Sequence, residues 1–435
     1  MTEAHGPAVV GVFRGPWDTG LPAKDGAVIG FEDVFLALST AVQSGEFRLA
    51  TAGIDIFPDY HRIKEFLSSC AVVYANCGPW TALLYLVRER ERLNVRIIRE
   101  IRTIGWVGYI WQEEVATQLE RPGDQRVFPS AYARDLWAAA MPGTSRTRIY
   151  YPLIRSAASR RTMRAARPIA TVGFFSALSP DKGFSSLPAA FSRMHDAGHA
   201  IDRVVLSGRQ TDPDLYAEVV RQLTAMNVGV DYRGAVPHGE ISDLMAGCDC
   251  ILFLTTSSIE SLGRVMVEAS AQKVAVVTAD FGAALDLVAQ EYRIPVDYPA
   301  VSSGRSDTGF PLGQLALDRW SPPVVVRAGA CHLPAVGNDV ADAQRTREIL
   351  LPPRTESPPG SRPLRFTFDC EVDGLELADK LLDDLNLLRH KPIHELLDLG
   401  GTLKQYLLVN GYNPRVSFTR RDHRCPPITQ HIRSG

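Results

Sequence analysis

The run Ser257-Ser258-Ile259-Glu260-Ser261-Leu262-Gly263-Arg264-Val265-Met266-Val267-Glu268-Ala269 decides how this chain is read. Two carboxylates, Glu260 and Glu268, stand eight positions apart, with Ser-Leu-Gly and then an apolar run between them. Just upstream, Cys250-Ile251-Leu252-Phe253-Leu254 is a short apolar run, the pattern of a strand buried on both faces of a parallel sheet. The order is strand, polar loop, helix. Such a loop turns unpaired backbone N–H groups and the positive end of a helix toward the sheet edge, a setting for a phosphate. Glu260 falls in the loop. Glu268 falls about two turns into the helix, at about 1.5 Å of rise per residue. One carboxylate then stands at the loop while the other reaches further along a bound ligand. For these residues taken alone, an amphipathic helix with two solvated glutamates is the alternative.

The rest of the second half fits the same frame. Ile169 to Phe175 reads as a strand, Ser179-Pro180-Asp181-Lys182-Gly183-Phe184 as the loop after it, and Ser186 to Ala197 as a helix. Arg203-Val204-Val205-Leu206-Ser207-Gly208 is the next strand and turn, and Val230 to Val236 another strand, with a helix at 240–246 beside it. After Glu268 come a strand at Val274-Ala275-Val276-Val277 and a loop with a short helix at 281–288. Strand and helix thus alternate from about residue 169 to 290 in the order a parallel doubly wound sheet needs. Thr211-Asp212-Pro213-Asp214 contains a D-x-D triplet, a metal-binding pattern elsewhere. Here it opens a helix, so a helix cap is the expected role.

Together these residues resemble the family 4 retaining glycosyltransferases with their E-x7-E signature. The GT-B fold of that family is α/β, two Rossmann-like doubly wound domains facing each other across a cleft. The resemblance implies transfer of a sugar from a nucleotide-sugar donor to an acceptor, with retention of anomeric configuration by front-face attack and no covalent enzyme intermediate. It implies that Glu260 acts at the donor-sugar hydroxyls and on the charge developing on the ring, and that Glu268 holds ribose hydroxyls. Lys182, followed by Gly183, is similar to the family's Lys-Gly loop, and lysine is a point charge suited to a diphosphate. Ser261, Leu262 and Gly263 resemble the family's helix-opening amides. Gly208, and Gly234 with Val236, resemble turns near the nucleotide base. No metal and no cofactor are expected, the nucleotide sugar being a co-substrate. Two departures stand out. The family's arginine about five residues before the lysine is Ala177 here, with Arg209 or Arg264 as possible replacements. The Gly and Pro usual after the second glutamate are missing from 271–277. Two other readings therefore stay open: a non-catalytic GT-B scaffold serving as a partner subunit, or another GT-B enzyme, a phosphorylase or sugar-nucleotide epimerase.

The first half begins with a strand at Val9-Val10-Gly11-Val12-Phe13, a glycine-rich segment, and a helix from about Phe31 to Gln43. That order opens a nucleotide-binding-like half domain, although no G-x-G-x-x-G is present. In the resembled family this first loop touches sugar and acceptor, so Asp18, Thr19 and Gly20 are candidates for the contact, with a solvent-facing loop as the alternative. Strands are expected at 47–57, 71–75 and 95–99, and a helix at 80–92. The charged run Arg88-Glu89-Arg90-Glu91-Arg92 reads as a solvated face with local ion pairs. Where relatives often carry a histidine, this chain has Arg99, Glu100, Arg102 and Thr103. Arg102 is a candidate for holding a phosphate or an acceptor carboxylate, with a structural salt bridge as the alternative. Pro129-Ser130 and the following residues resemble the family's strand–Pro-Ser–helix passage.

The expected organisation is an acceptor domain at 1–160 with a linker at 155–168, and a nucleotide-sugar domain at 169–300. A Pro-, Gly-, Ser- and Arg-rich insertion, partly disordered, is expected at 302–365. C-terminal helices at 366–414 complete the fold, and a tail at 415–435 has no assigned role. The 435 residues are 45% hydrophobic and 22% charged, ordinary for a soluble globular protein of two or three domains. A formal net charge of -2 gives no case for a nucleic-acid partner. No apolar run reaches about 18 residues, so no spanning helix is expected, and the first residues lack the blocks of a signal peptide. The seven cysteines form neither a zinc pattern nor a disulfide framework, so a reducing cytoplasm is the expected compartment. The expected partners are a nucleotide sugar and a small-molecule acceptor, the divergent first half favouring a small metabolite over a polymer.

Overall fold

Short runs rich in Val, Ile and aromatic residues, set between glycine-bearing loops and helices, build two parallel sheets here. The computed structural model describes residues 8–14, 26–42, 45, 47–53, 60–76, 79–102, 116–117, 119–140, 146–150, 168–257, 260–297, 312–323, 346, 349–350, 363–366 and 370–373.

The first unit runs β1 (Ala8–Arg14), α1 (Gly26–Val42), β2 (Phe47–Gly53), α2 (Tyr60–Ser69), β3 (Val72–Asn76), α3 (Pro79–Arg90), β4 (Arg96–Glu100), β5 (Gln125–Phe128), α4 (Ala131–Ala140) and β6 (Arg146–Ile149). Its strand order is β2-β1-β3-β4-β5-β6, with every pairing parallel. The helix α2 is absent from the sequence reading, although Ile63 and Leu67, one turn apart, are both buried on it. The charged run at the end of α3 is corrected as well. Arg88 is fully buried rather than solvated. Its Nη1 donates to Asp124 Oδ1 at 2.7 Å and its Nη2 to the Leu119 carbonyl at 2.8 Å. Burial of a guanidinium is tolerated because these distant partners neutralise it and satisfy its donors.

The second unit runs β7 (Thr171–Phe175), α5 (Leu187–Asp196), β8 (Arg203–Ser207), α6 (Pro213–Ala225), β9 (Gly229–Tyr232), α7 (His238–Gly247), β10 (Cys250–Phe253), α8 (Arg264–Ala271), β11 (Ala275–Ala279), α9 (Ala284–Leu287) and β12 (Arg293–Ile294). The order is β12-β11-β10-β7-β8-β9, again all parallel. The central strands β10 and β11 have no exposed residue, which is why they read as unbroken apolar runs. In this order β7 has its successor β8 on one side and β10 on the other. The loops leaving β7 and β10 therefore diverge and leave a crevice at the carboxyl edge, the place where open α/β sheets hold ligands.

Beyond the second sheet, β13 (Val296–Asp297) pairs antiparallel with β14 (Gln314–Leu315), and Trp320 is buried. Ile349 and Leu350 then join Val10, Val12 and Val34 in a core of the first unit. The Tyr150 and Thr346 hydroxyls lie 3.0 Å apart, and Arg96 Nη2 donates to the Ile349 carbonyl at 3.0 Å. Within 302–365, then, described residues pack on both units, and the chain returns to the first sheet before residue 366. A short antiparallel hairpin follows, β15 (Pro363–Phe366) with β16 (Cys370–Asp373). The rest of the 366–414 segment, where C-terminal helices are expected, the tail and most of the linker lie outside the described residues. No described helix is long and apolar enough to cross a membrane.

Candidate active site

The crevice brings together two loops that are 78 positions apart in the chain. Lys182, in the loop after β7, places Nζ 2.6 Å from Glu260 Oε2, in the loop after β10. The two loops are fastened below this pair by Thr255 Oγ1, which donates to the Asp181 carbonyl at 2.8 Å. Gly183 makes that fit possible. It sits at φ +73°, and a Cβ there would lie 2.2 Å from the Leu254 carbonyl oxygen, so a side chain at 183 would force the loops apart.

Glu260 also closes the start of α8. Its Oε1 accepts the Gly263 N–H at 3.0 Å, so the carboxylate already sits on the backbone donors that the sequence assigns to an anion. Gly263, the residue before α8, has φ +73°, and a Cβ on it would strike the Phe253 ring at 2.5 Å. Burial disfavours the Glu260 charge. The Lys182 ammonium and the Gly263 and Leu262 N–H groups outweigh that and hold its pKa below the usual carboxylate range. Burial likewise works against the Lys182 charge, but the Glu260 carboxylate overcomes it and raises the lysine above its ordinary value. At 32% and 19% side-chain exposure the pair remains in reach of water, and so of a ligand that could exchange for one partner.

Glu268 lies on α8 itself. The helix begins at Arg264, so Glu268 is one turn in rather than two, and it is buried. Arg264 Nε donates to Glu268 Oε1 at 3.1 Å, and His238 Nε2 lies 3.8 Å from the same oxygen. Arg264 also reaches the first unit, where its Nη1 donates to Asp33 Oδ2 on α1 at 3.0 Å. A second link between the units runs from Ser130 Oγ, just before α4, to the Ser261 carbonyl, and the Tyr132 and Phe281 rings pack edge to face with centroids 5.2 Å apart.

Gly208 ends β8. Its N–H donates to the Gly234 carbonyl at 3.0 Å, and its carbonyl accepts from Tyr232 Oη at 3.0 Å. This ties the turn that carries the half-buried Val236 beside Gly208. Leu262 is buried and Ser261 half-buried. Arg102 donates to Glu100 Oε1 at 2.6 Å and to the Gly30 carbonyl at 2.9 Å, an engagement inside the first unit. Asp18, Thr19 and Gly20 lie outside the described residues. Asp212 Oδ1 accepts the Asp214 and Leu215 N–H groups, both at 3.0 Å, and so caps α6. Of the cations considered in place of the arginine missing at Ala177, Arg264 is held by Asp33 and Glu268, and Arg209 is exposed. Sequence reasoning missed Asp33, Thr255 and His238 as site neighbours; nothing local marks them, since each acts across long chain separations or between elements.

Residues 161–297 match the model of the family described as Glycosyl transferases group 1. Among solved structures, a glycosyltransferase from Rickettsia africae aligns over 94% of this chain and 100% of its own, at 11% identity and a TM-score of 0.50. HepE of Anabaena in complex with UDP and glucose aligns over 65% of this chain and 84% of its own, at 19% identity and a TM-score of 0.49. The sucrose-phosphate synthase of Thermosynechococcus elongatus aligns over 66% and 86%, at 14% identity and a TM-score of 0.47. A comparison with curated proteins finds no match. The fold is GT-B, α/β with two parallel six-stranded sheets, and the likeness to the group 1 model falls on its second unit.

Proposed function

We propose that this protein moves a sugar from a nucleotide-sugar donor to an acceptor, with retention of anomeric configuration, in the manner of the family 4 enzymes. The observation that carries the proposal is the convergence of Lys182 Nζ, the Glu260 carboxylate and the Gly263 N–H within hydrogen-bond distance at the switch point of the second sheet. That set is suited to a diphosphate leaving group. The group gains charge as the glycosidic bond breaks, and fixed donors that meet it there lower the barrier. Lys182, the helix-opening amides and the positive end of α8 hold the diphosphate. Donor binding then draws Lys182 and the amides from Glu260 onto the phosphates. The freed carboxylate turns to the sugar hydroxyls and to positive charge on the ring. Glu268 takes the ribose hydroxyls, and the turn at Gly208, Gly234 and Val236 borders the base. Asp18, Thr19, Gly20 and Arg102 are the candidates on the acceptor side, and a small metabolite is the proposed acceptor. Asp212 spends its carboxylate on capping α6, which supports transfer without a D-x-D metal.

A second reading has one observation in its favour. Ala177 leaves the site without the family's arginine, and Arg264 is committed to two carboxylates. A GT-B scaffold acting as a partner subunit fits that loss of charge. Turnover separates the two. Sugar nucleotides are screened for acceptor-dependent release of nucleoside diphosphate, with Glu260→Gln as control. Transfer by the wild-type chain that Glu260→Gln abolishes supports the enzyme. Binding without turnover favours the scaffold.

A further inference from the structure

Arg264 occupies a place that its own helix does not favour. It is the first residue of α8, where the helix dipole is positive and repels a cation. Its partner Glu268 lies four residues later, the less favourable order for a helical ion pair. The position is instead satisfied from outside. Nη1 reaches Asp33 Oδ2 at 3.0 Å, across 231 positions of chain. Nε donates to Glu268 Oε1 at 3.1 Å, and Nη2 lies 3.1 Å from the same oxygen as an ion-pair contact without a hydrogen bond. The side chains of Asp33, Arg264 and Glu268 are 13%, 11% and 10% exposed, so each charge depends on the others more than on water. Burial pushes the Asp33 carboxyl up, and the charges of Arg264, His238 and Arg102 pull against it. The first unit touches the same loop a second time, through Ser130 at the Ser261 carbonyl.

We infer that Asp33 is a positioning residue for the donor site: from the opposite unit it anchors Arg264, which in turn fixes the Glu268 carboxylate in the orientation that meets the ribose. The ribose end of the site is then complete only while α1 is docked against α8, and grip on the nucleotide is coupled to contact between the two units. This rests on the assignment of Glu268 to the ribose made above. Asp33 touches no substrate; it acts through Arg264.

The test uses the full chain and calorimetric titration with a nucleoside diphosphate, its 2′-deoxy and its 3′-deoxy analogues. Wild type, Asp33→Asn and Asp33→Glu are compared, each checked to be folded at the titration temperature. The wild-type chain is expected to prefer the ribose form by about tenfold, the weight of one hydrogen bond to a charged group. Asp33→Asn should bind the ribose form about tenfold more weakly and lose most of that preference, while its affinity for the deoxy form that the wild type disfavours stays unchanged. Asp33→Glu should recover part of both. Loss of affinity for all three ligands by the same factor would mean a merely structural role and overturn the inference. Wild-type affinity and preference in Asp33→Asn overturn it too, and leave the donor site standing. A wild-type chain that binds no nucleoside diphosphate overturns both the inference and the reading beneath it.

Discussion

Replacing Lys182 by methionine keeps most of the side-chain volume and removes the charge, and the structure assigns different sizes to its two consequences. The first concerns stability. The ion pair with Glu260 is 2.6 Å long but 32% exposed on the lysine side, so water screens it and its worth is about 0–1 kcal/mol. Glu260 keeps the Gly263 N–H as a donor, so it is not left bare. The melting temperature should fall by no more than about 2–4 °C. The second concerns transfer. A charge-assisted hydrogen bond to a diphosphate contributes about 1.5–3 kcal/mol, and about 1.4 kcal/mol is a factor of ten. On that scale kcat/KM should fall about 10- to 150-fold. Glu260, no longer neutralised, would add repulsion toward the phosphates and push the loss to the upper end. The assay is initial-rate transfer at several donor concentrations, beside a thermal melt of the same preparation. A folded Lys182→Met protein with kcat/KM within about threefold of wild type would refute the phosphate role of this loop, since that residual is worth under about 1 kcal/mol.

Other expected outcomes test separate parts of the account. Arg88→Ala strips Asp124, 1% exposed, of its buried cation and should cost about 3–5 kcal/mol of stability; a melt shifted by only a degree or two would mean that the guanidinium is dispensable. Asp212→Ala removes the cap of α6 and should cost about 1 kcal/mol, with transfer unchanged and no response to divalent cations; a rate lost with the aspartate and restored by added metal would contradict the cap role. His199 accepts the Ile169 N–H on Nδ1 at 3.1 Å and meets the Pro323 carbonyl through Nε2 at 2.8 Å. Burial lowers its pKa, with the nearby His195 acting the same way against the Pro323 carbonyl. The folded chain thus favours the neutral ring, so this contribution is present above pH 6.5 and is lost as pH falls below it. His199→Gln should flatten the fall in melting temperature between pH 7 and 5; an identical slope in the variant would remove His199 from the effect.

The parallel alternation of the second unit was legible because its central strands β10 and β11 are buried along their whole length and read as apolar runs. The pairing of loops that unites Lys182 with Glu260 could be anticipated from family resemblance, and the strand order supplies its cause. What local patterns could not give are the contacts made at long chain separation. Arg88 looks solvated beside Glu89, Arg90, Glu91 and Arg92, and only Asp124, 36 positions on, explains its burial. Asp33 shows no sign in its own helix of meeting Arg264. Ile349 and Leu350 sit in a Pro- and Arg-rich stretch whose composition suggests an insertion, yet they complete the first core. The helix Tyr60–Ser69 was within reach, since Ile63 and Leu67 have helical spacing. Its polar residues, His61, Arg62, Lys64 and Glu65, masked that short period.

The account rests on a diphosphate being gripped at the carboxyl edge of the second sheet. Its most direct test is calorimetric titration of the whole chain with UDP, GDP and ADP in turn. At least one should bind, with an affinity that Lys182→Met lowers about tenfold or more. Heats indistinguishable from dilution for all three, from a chain that melts cooperatively, would contradict the account at its centre.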